Sequence, residues 1–305
     1  MAIVEAVAAY KACQTKKKNK LLRSYTLKHR TKKNLSQHIR LDKRTIQLHK
    51  NKLCIMPDKC GDKITLSKDQ LKQVKSAFNK NNPNHDIIIT KQANKWYICV
   101  LIKNNKIETV KKDSLVALDP GGRTFQTYFS QNELGKFGDG FYENNIKPIN
   151  ERIDKLNAIL PKLRGLRKRK LRNRVQQLRT KIVNKVSDLH NKVINYLTTN
   201  FTTILLPKFS AKQIATRSGR SINRMLHSLG HYKFSDKLEE RCKLRNCEVI
   251  RCLESYTSQV CSSCGSMYKP FASHVYKCVG CQDNKDRDIN AAKNIYLRSL
   301  TMLTK

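Results

Sequence analysis

The chain has 305 residues, enough to bury a core in one large domain or in two or three small ones. Lys and Arg number 62 against 23 Asp and Glu, a formal net charge of +39, far beyond what solubility needs. A polyanion that neutralises such a surface gains affinity from counterion release, so nucleic acid is the expected partner. No run approaches the roughly 20 apolar residues of a membrane span, and no membrane partner is expected.

In chain order, MAIVEAVAAYKACQ is briefly apolar without a basic leader and reads as a helix, not a signal peptide. The rest of residues 1–50 is rich in Lys and Arg, with little apolar periodicity. TLSKDQLKQVKSAFNK (65–80) opens on a cap and places Leu71, Val74 and Phe78 on one face of a helix. HDIIITKQANKWYICVLIK reads as a hairpin about a Gln-Ala-Asn-Lys turn. SLVALDPGG is a short strand that ends in Asp119, and RTFQTYFS and GKFGDGFYE are two more strands.

From about 147 to 200 the period changes to that of helices. Ile153, Leu156, Leu160 and Leu163 form one stripe, and Val175, Leu178, Ile182, Val186, Leu189, Val193 and Leu197 a second. The expectation is an antiparallel pair with RGLRKRKLRNR between the stripes. That run carries Arg164, Arg167, Lys168, Arg169, Lys170, Arg172 and Arg174, candidates to lie along phosphates, with the bland alternative of a solvated face. FTTILLPKF is a buried strand, and a polar loop with Arg217 and Arg220 follows. Residues 221–246 are a helix, EVIRCLE a strand and DRDINAAKNIYLRSL a helix.

Eleven cysteines resolve into two Cys-x-x-Cys pairs and seven scattered thiols. Cys261 and Cys264, then Cys278 and Cys281 thirteen residues on, are two knuckles able to close a tetrahedral four-thiolate site. Such a site has no open position, so Zn2+ there is structural. Free thiols beside a metal site suit a reducing, intracellular compartment.

Acids at strand ends or helix starts of so basic a chain are candidate ligands for Mg2+ in phosphodiester hydrolysis. Asp119 ends a strand, Glu254 ends the strand before the first knuckle, and Asp288 opens the last helix. Singly each also reads as a turn starter, a surface residue or an N-cap. Their context is more specific. VALDPGGRTFQTYFS, a basic helical insert, ESYTSQVCSSCG, the second knuckle and DRDINAAKNI, in that order, resemble the split RuvC domain with zinc ribbon of TnpB proteins and their Fanzor relatives, a core that type V CRISPR effectors share. The resemblance covers roughly residues 85–300, and the basic N-terminal part more weakly.

The resemblance implies an α+β protein with an RNase H-like (RuvC) mixed sheet, an inserted helical hairpin and a four-cysteine zinc ribbon. It implies a transposon-derived, Mg2+-dependent DNA endonuclease that pairs a guide RNA with target DNA. Asp119 matches the first RuvC aspartate and Asp288 the last, with Asp286 two residues off the pattern. TnpB proteins usually carry the middle glutamate at the end of the strand that here reads ILLPKF, where this chain has Pro207. Fanzor-like members relocate it to just before the ribbon, where Glu254 stands. Arg287 joins the phosphate-binding set. That shift points to a eukaryotic or large-virus source, hence a nucleus or viral factory. The implied domains are a basic helical segment (1–84), a nuclease core (85–256) with its insert at about 147–200, the ribbon (257–284) and a closing helix (285–305). Relatives usually carry a longer N-terminal region with a β-barrel and helical lobe, so a shortened recognition lobe is expected. The rival readings are a catalytically inactive or degenerate transposase-related DNA- or RNA-binding protein, and a ribosomal-type RNA-binding protein with a zinc ribbon.

Overall fold

The computed structural model describes residues 2–27, 37–56, 63–92, 95–102, 113–208, 219–252, 256–268 and 274–303. Its contacts divide the chain into two units, Met1–Lys103 and Asn104–Lys305.

The first unit opens with α1 (Ala2–Lys18), as the apolar N-terminus predicts. Beyond it lie strands that the sequence reading missed. β1 (Gln37–Leu41), β2 (Ile46–His49), β3 (Lys52–Ile55) and β4 (Lys63–Thr65) precede α2 (Lys68–Lys75). The short pair β5 (Phe78–Asn79) and β6 (Asn82–Pro83) follows, then β7 (Ile87–Gln92) and β8 (Lys95–Cys99). The sheets run β1-β7-β8 and β2-β3-β4. The expected helical character of residues 1–84 therefore holds only for α1 and α2. The strands are short with only a few buried positions, so Leu41, Ile46, Leu48, Leu53 and Ile87 form their core without a long apolar run. The β7–β8 hairpin is where the pattern puts it, but β7 pairs with β1 and so belongs to the first unit. Ser67 and Gln70 close α2 with a capping box.

The second unit is built on one five-stranded mixed sheet, ordered β11-β10-β9-β12-β13. Its strands are β9 (Asp113–Pro120), β10 (Thr124–Ser130), β11 (Leu134–Asp139), β12 (Phe201–Pro207) and β13 (Glu248–Cys252). β9, β12 and β13 are mutually parallel, and β10 is antiparallel to both β9 and β11. This is the RNase H-like sheet expected. Side chains of the central strands alternate in destination. Val116, Leu118, Ile204 and Leu206 pack under α4 (Gly165–Asn200), α5 (Arg220–Leu229) and α6 (His231–Leu244). Leu115, Ala117 and Leu205 pack under α7 (Arg287–Leu303), on Ile295 and Tyr296.

Two helical expectations are corrected. The turn between α3 (Lys147–Ile159) and α4 falls at Leu160–Arg164, so the basic run is not a connector but the opening turns of α4. Residues 221–246 are two helices, because Gly230 takes a left-handed conformation (φ 63°) that closes α5 and redirects the chain into α6.

Under α4 lies a ring sandwich. Phe125 is stacked between His190 (centroids 5.0 Å apart) and His231 (4.9 Å), with Phe234 edge-on. His190 Nε2 sits 2.9 Å from the Leu229 carbonyl, and His231 lies against the Gly121 backbone. Burial holds both imidazoles down, to about 4 from an ordinary 6.5. The folded state keeps them neutral while the unfolded chain takes up protons from about pH 6.5 downward. Their contribution is therefore whole above pH 6.5 and lost as pH falls towards 4, on the order of a few kcal/mol for the pair. Thermal unfolding between pH 7.5 and 4.5 is expected to show that decline, and the double variant His190→Gln, His231→Gln a much flatter one; equal slopes would refute the assignment.

Candidate functional site

Strand parity places Asp119 on the same face of β9 as Leu115 and Ala117, the face that α7 covers. Tyr296 lies at the Asp113 end of β9. Asp288, two helical turns before Tyr296, therefore lies towards the opposite end, where β9 finishes at Asp119 and Pro120. The parallel neighbours end at the same edge, β12 at Pro207 and β13 at Cys252, which are register partners. Glu254, predicted as the third acid, lies outside the described residues, as does Arg217.

The carboxylates at this edge are laced to two cations. The Arg123 guanidinium follows the Gly121-Gly122 turn and donates from Nη2 to Asp288 Oδ2 at 3.1 Å. It also lies 4.0 Å from Asp286 Oδ2 and 4.0 Å from Asp139 Oδ1. Lys136 Nζ donates to Asp286 Oδ2 at 2.6 Å, and Thr124 Oγ1 to Asp139 Oδ1 at 2.6 Å. Gly121 is needed at the turn because a Cβ there would meet the Thr124 carbonyl oxygen, a backbone atom, at 2.7 Å. Asp286 and Asp288, two residues apart, have different work. Asp286 Oδ1 accepts the backbone N–H groups of Asp288 and Ile289, so it caps α7 while its other oxygen holds Lys136. Burial alone would raise its carboxyl. Lys136 and those N–H groups outweigh burial and hold it below the ordinary carboxylate value. Asp288 has no such capping duty and faces Arg123, which makes it the better candidate ligand. Asp139, Lys136 and Arg123 were not singled out in the sequence; only their chain distance to the Asp-Pro-Gly-Gly turn hinted at them.

The four knuckle cysteines converge. One sulfur from each of Cys261, Cys264, Cys278 and Cys281 lies within 4.8 Å of all the others. Cys261 and Cys281 Sγ are 3.7 Å apart, and Cys264 and Cys278 Sγ 3.5 Å apart. A tetrahedron with metal–sulfur bonds of about 2.3 Å has edges of about 3.8 Å. All four are free of disulfides, and the cluster is compatible with a structural zinc. The Ser266 hydroxyl beside Cys264 draws that thiol down to about 6. At Cys281 the Asp283 backbone N–H works in the same direction, but the neighbouring thiols outweigh it and push Cys281 up to about 12. The four cannot all ionise unaided; a divalent cation resolves that conflict.

Two asparagines one helical turn apart tie the ribbon to α7. Asn290 Oδ1 accepts from Ser262 N–H at 2.9 Å, and its Nδ2 donates to the Val260 carbonyl at 2.8 Å. Asn294 Nδ2 donates to the Thr257 and Val260 carbonyls at 2.8 and 2.6 Å. Asn290 is fully buried, and Ala291 and Ala292 beside it are buried too. Sequence reading used the DRDINAAKNI string for the last helix, the family resemblance and an acid; the asparagines are its structural content.

The basic run meets a physical objection. Arg164 is the N-cap of α4, and Arg167, Arg169, Lys170, Arg172 and Arg174 are exposed on its opening turns, with Lys168 half-buried and no acid in the first turn. A helix N-terminus carries positive partial charge, so cations there cost about 0.3–1 kcal/mol each. Arg220 is similarly exposed at the start of α5, and Arg287 is half-buried at the start of α7. The starts of α4 and α5 thus carry cations that gain from an external anion, whereas at α7 Asp286 and Asp288 already supply negative charge beside Arg287.

Residues 231–295 match the family model "Cas12f1-like, TNB domain". TnpB-like protein L79 of Acanthamoeba polyphaga mimivirus is 32% identical over 198 residues, 62% of this chain and 38% of that protein. Putative transposase A625R of Paramecium bursaria Chlorella virus 1 is 26% identical over 306 residues, 98% of this chain and 68% of that protein. The chain thus spans under two-fifths of the length of the mimivirus relative. Among solved structures, a Cas12f1–sgRNA–target DNA complex aligns at TM-score 0.46 and 17% identity, over 70% of this chain and 45% of that one. No helix among the described residues is long and apolar enough to cross a membrane.

Replacing Asn290 by Ala leaves the buried Ser262 N–H without its partner and removes one of the two bonds to the Val260 carbonyl, which Asn294 still holds, at a cost of about 1–3 kcal/mol. The expected outcome is a lower melting temperature with α7 and the ribbon deprotected together in hydrogen exchange; wild-type protection at Val260 and Ser262 would contradict it. The chain is thus similar in sequence to TnpB-like and putative transposase proteins, and across the knuckles and the start of α7 to the Cas12f1-like TNB domain.

Proposed function

We propose that the second unit is the nuclease core of a transposon-derived, RNA-guided DNA endonuclease, in which Asp119, Glu254 and Asp288 hold the catalytic Mg2+. The observation that carries this reading is the placement of Asp119 and Asp288 on one face and one edge of the sheet. Cys252, two residues before Glu254, packs with Ile295 and Tyr296 on that face. Pro207, where a middle acid would otherwise stand, follows Leu205 on the same side. Half-buried carboxylates are hard oxygen donors of the kind Mg2+ takes. Bound there, a pair of such ions supplies an activated water and stabilises the leaving oxygen.

The chain's own residues do the positioning. Asp286 fixes the first turn of α7 and thereby the direction of Asp288. Arg123 balances Asp288 and is near enough to reach a phosphate. The cationic starts of α4 and α5, with Arg217 and Arg287, hold the guide RNA and target DNA. A second reading, a nucleic-acid-binding protein without cleavage, is favoured by one observation: Arg123 and Lys136 already neutralise the acids at the edge.

Full-length protein purified with its RNA is expected to cut matched DNA only with Mg2+. Asp119→Ala should reduce cutting at least a thousand-fold, about 4 kcal/mol of transition-state stabilisation, while RNA binding stays within two-fold. Cutting at the wild-type rate would end the assignment, and Mg2+-independent silence of the wild type would establish the second reading.

We further propose that the four cysteines hold one Zn2+ as a structural ion. Elemental analysis should give one zinc per chain. Stripping it with a strong chelator, or Cys278→Ser, should lower the melting temperature and loosen residues 256–286; a zinc-free protein of unchanged stability would exclude the ion.

A further inference from the structure

The first unit carries a slot that the nuclease reading does not use. It is a cavity of about 530 Å3 lined by Trp96, Ile64, Val74, Phe78, Gln70 and Gln73 among others, within the roughly 300–1,000 Å3 of ligand sites. Trp96 is the chain's single tryptophan and is 54% exposed. An indole left that wet is an unspent contact surface. Lys91 Nζ stands 5.3 Å from the ring centroid over one face, which leaves the other face for a planar partner.

Charge says which partner. Residues 1–103 hold 24 Lys and Arg against 6 Asp and Glu. Lys63 beside Ile64, Lys72 and Lys75 about Gln73 and Val74, and Lys95 beside Trp96 are all exposed. An apolar slot with an exposed indole beside Phe78 and Tyr97, amide groups from α2 and a lysine rim matches a nucleobase with its phosphates outside. A duplex keeps its bases stacked internally and offers no free ring face, so the ligand is single-stranded.

We propose that this slot receives an unstacked base of a single-stranded nucleic acid, stacked on Trp96, with the lysine rim on the flanking phosphates. The proposal rests on the nucleic-acid partnership above but not on cleavage. Gln73 offers a donor and an acceptor to the base edge, and Gln70 is committed to the capping box with Ser67.

The test uses the full-length chain freed of co-purified nucleic acid, in EDTA without divalent ions, so that failure of the nuclease reading leaves it untouched. Trp96 emission reports the slot directly. Twelve-nucleotide single-stranded RNA and single-stranded DNA are each titrated against a blunt-ended, fully paired duplex at equal phosphate concentration. Saturable quenching by a single strand and little by the duplex is the expected result, and the RNA and DNA arms show which sugar is preferred. In anisotropy, Trp96→Ala should weaken single-strand binding about 5- to 150-fold, the range for one stacked base, with the salt slope unchanged. Trp96→Phe should stay within a few fold. Lys72→Ala with Lys75→Ala should lower the salt slope instead. Equal quenching by duplex, no quenching by either strand, or wild-type affinity in Trp96→Ala would overturn the proposal. No quenching would point to a protein segment as the slot's cover. Should Trp96→Ala fail to fold by circular dichroism, the wild-type quenching contrast decides alone.

Discussion

The packing of α7 on the underside of the mixed sheet sets the geometry of everything around it. Small residues, Ala291 and Ala292, let the helix approach closely. Ile295 and Tyr296 fill the face that Leu115, Ala117 and Leu205 present. That contact fixes the helix axis, and the axis fixes where its first turn ends up. The same helix carries two acids at its start and two asparagines on its next turns, so one packing decision delivers a carboxylate to the sheet edge and anchors the ribbon.

The division of labour between neighbouring side chains follows from saturation. An aspartate offers two oxygens. Asp286 spends one on backbone N–H groups and the other on Lys136. Asp288 spends one on a half-exposed guanidinium. The ribbon shows the same logic: four thiols too close to ionise together are an unstable arrangement until something positive sits among them, and the asparagine bonds from α7 keep them close.

Much of this was legible in the sequence, and the failures are physical. The strands about Asp119, the paired knuckles and the last helix each carry a sharp local signal: an alternating or continuous apolar run stopped by Pro-Gly-Gly, a repeated Cys-x-x-Cys, an N-terminal acid before a helical period. β1 to β4 carry none, because they are three to five residues long and Gln, His, Lys and Arg stand among their few buried apolar positions, which reads as solvent-facing loop. The break at Gly230 was hidden because the apolar period runs on either side of it with no proline. Arg123, Lys136 and Asp139 join the site through β-strand register, a long-range property that no window of residues displays.

The opening of α4 sets up an opposition between two effects of salt. Its cations repel one another and the helix end they sit on. In the isolated protein, dissolved ions relieve that repulsion and stiffen the helix. Once a nucleic acid has taken their place, the same ions compete for the arginines and loosen the assembly. Ionic strength therefore pushes the free and the loaded forms in contrary directions, and the helix that is least comfortable alone is the one that responds most to its partner.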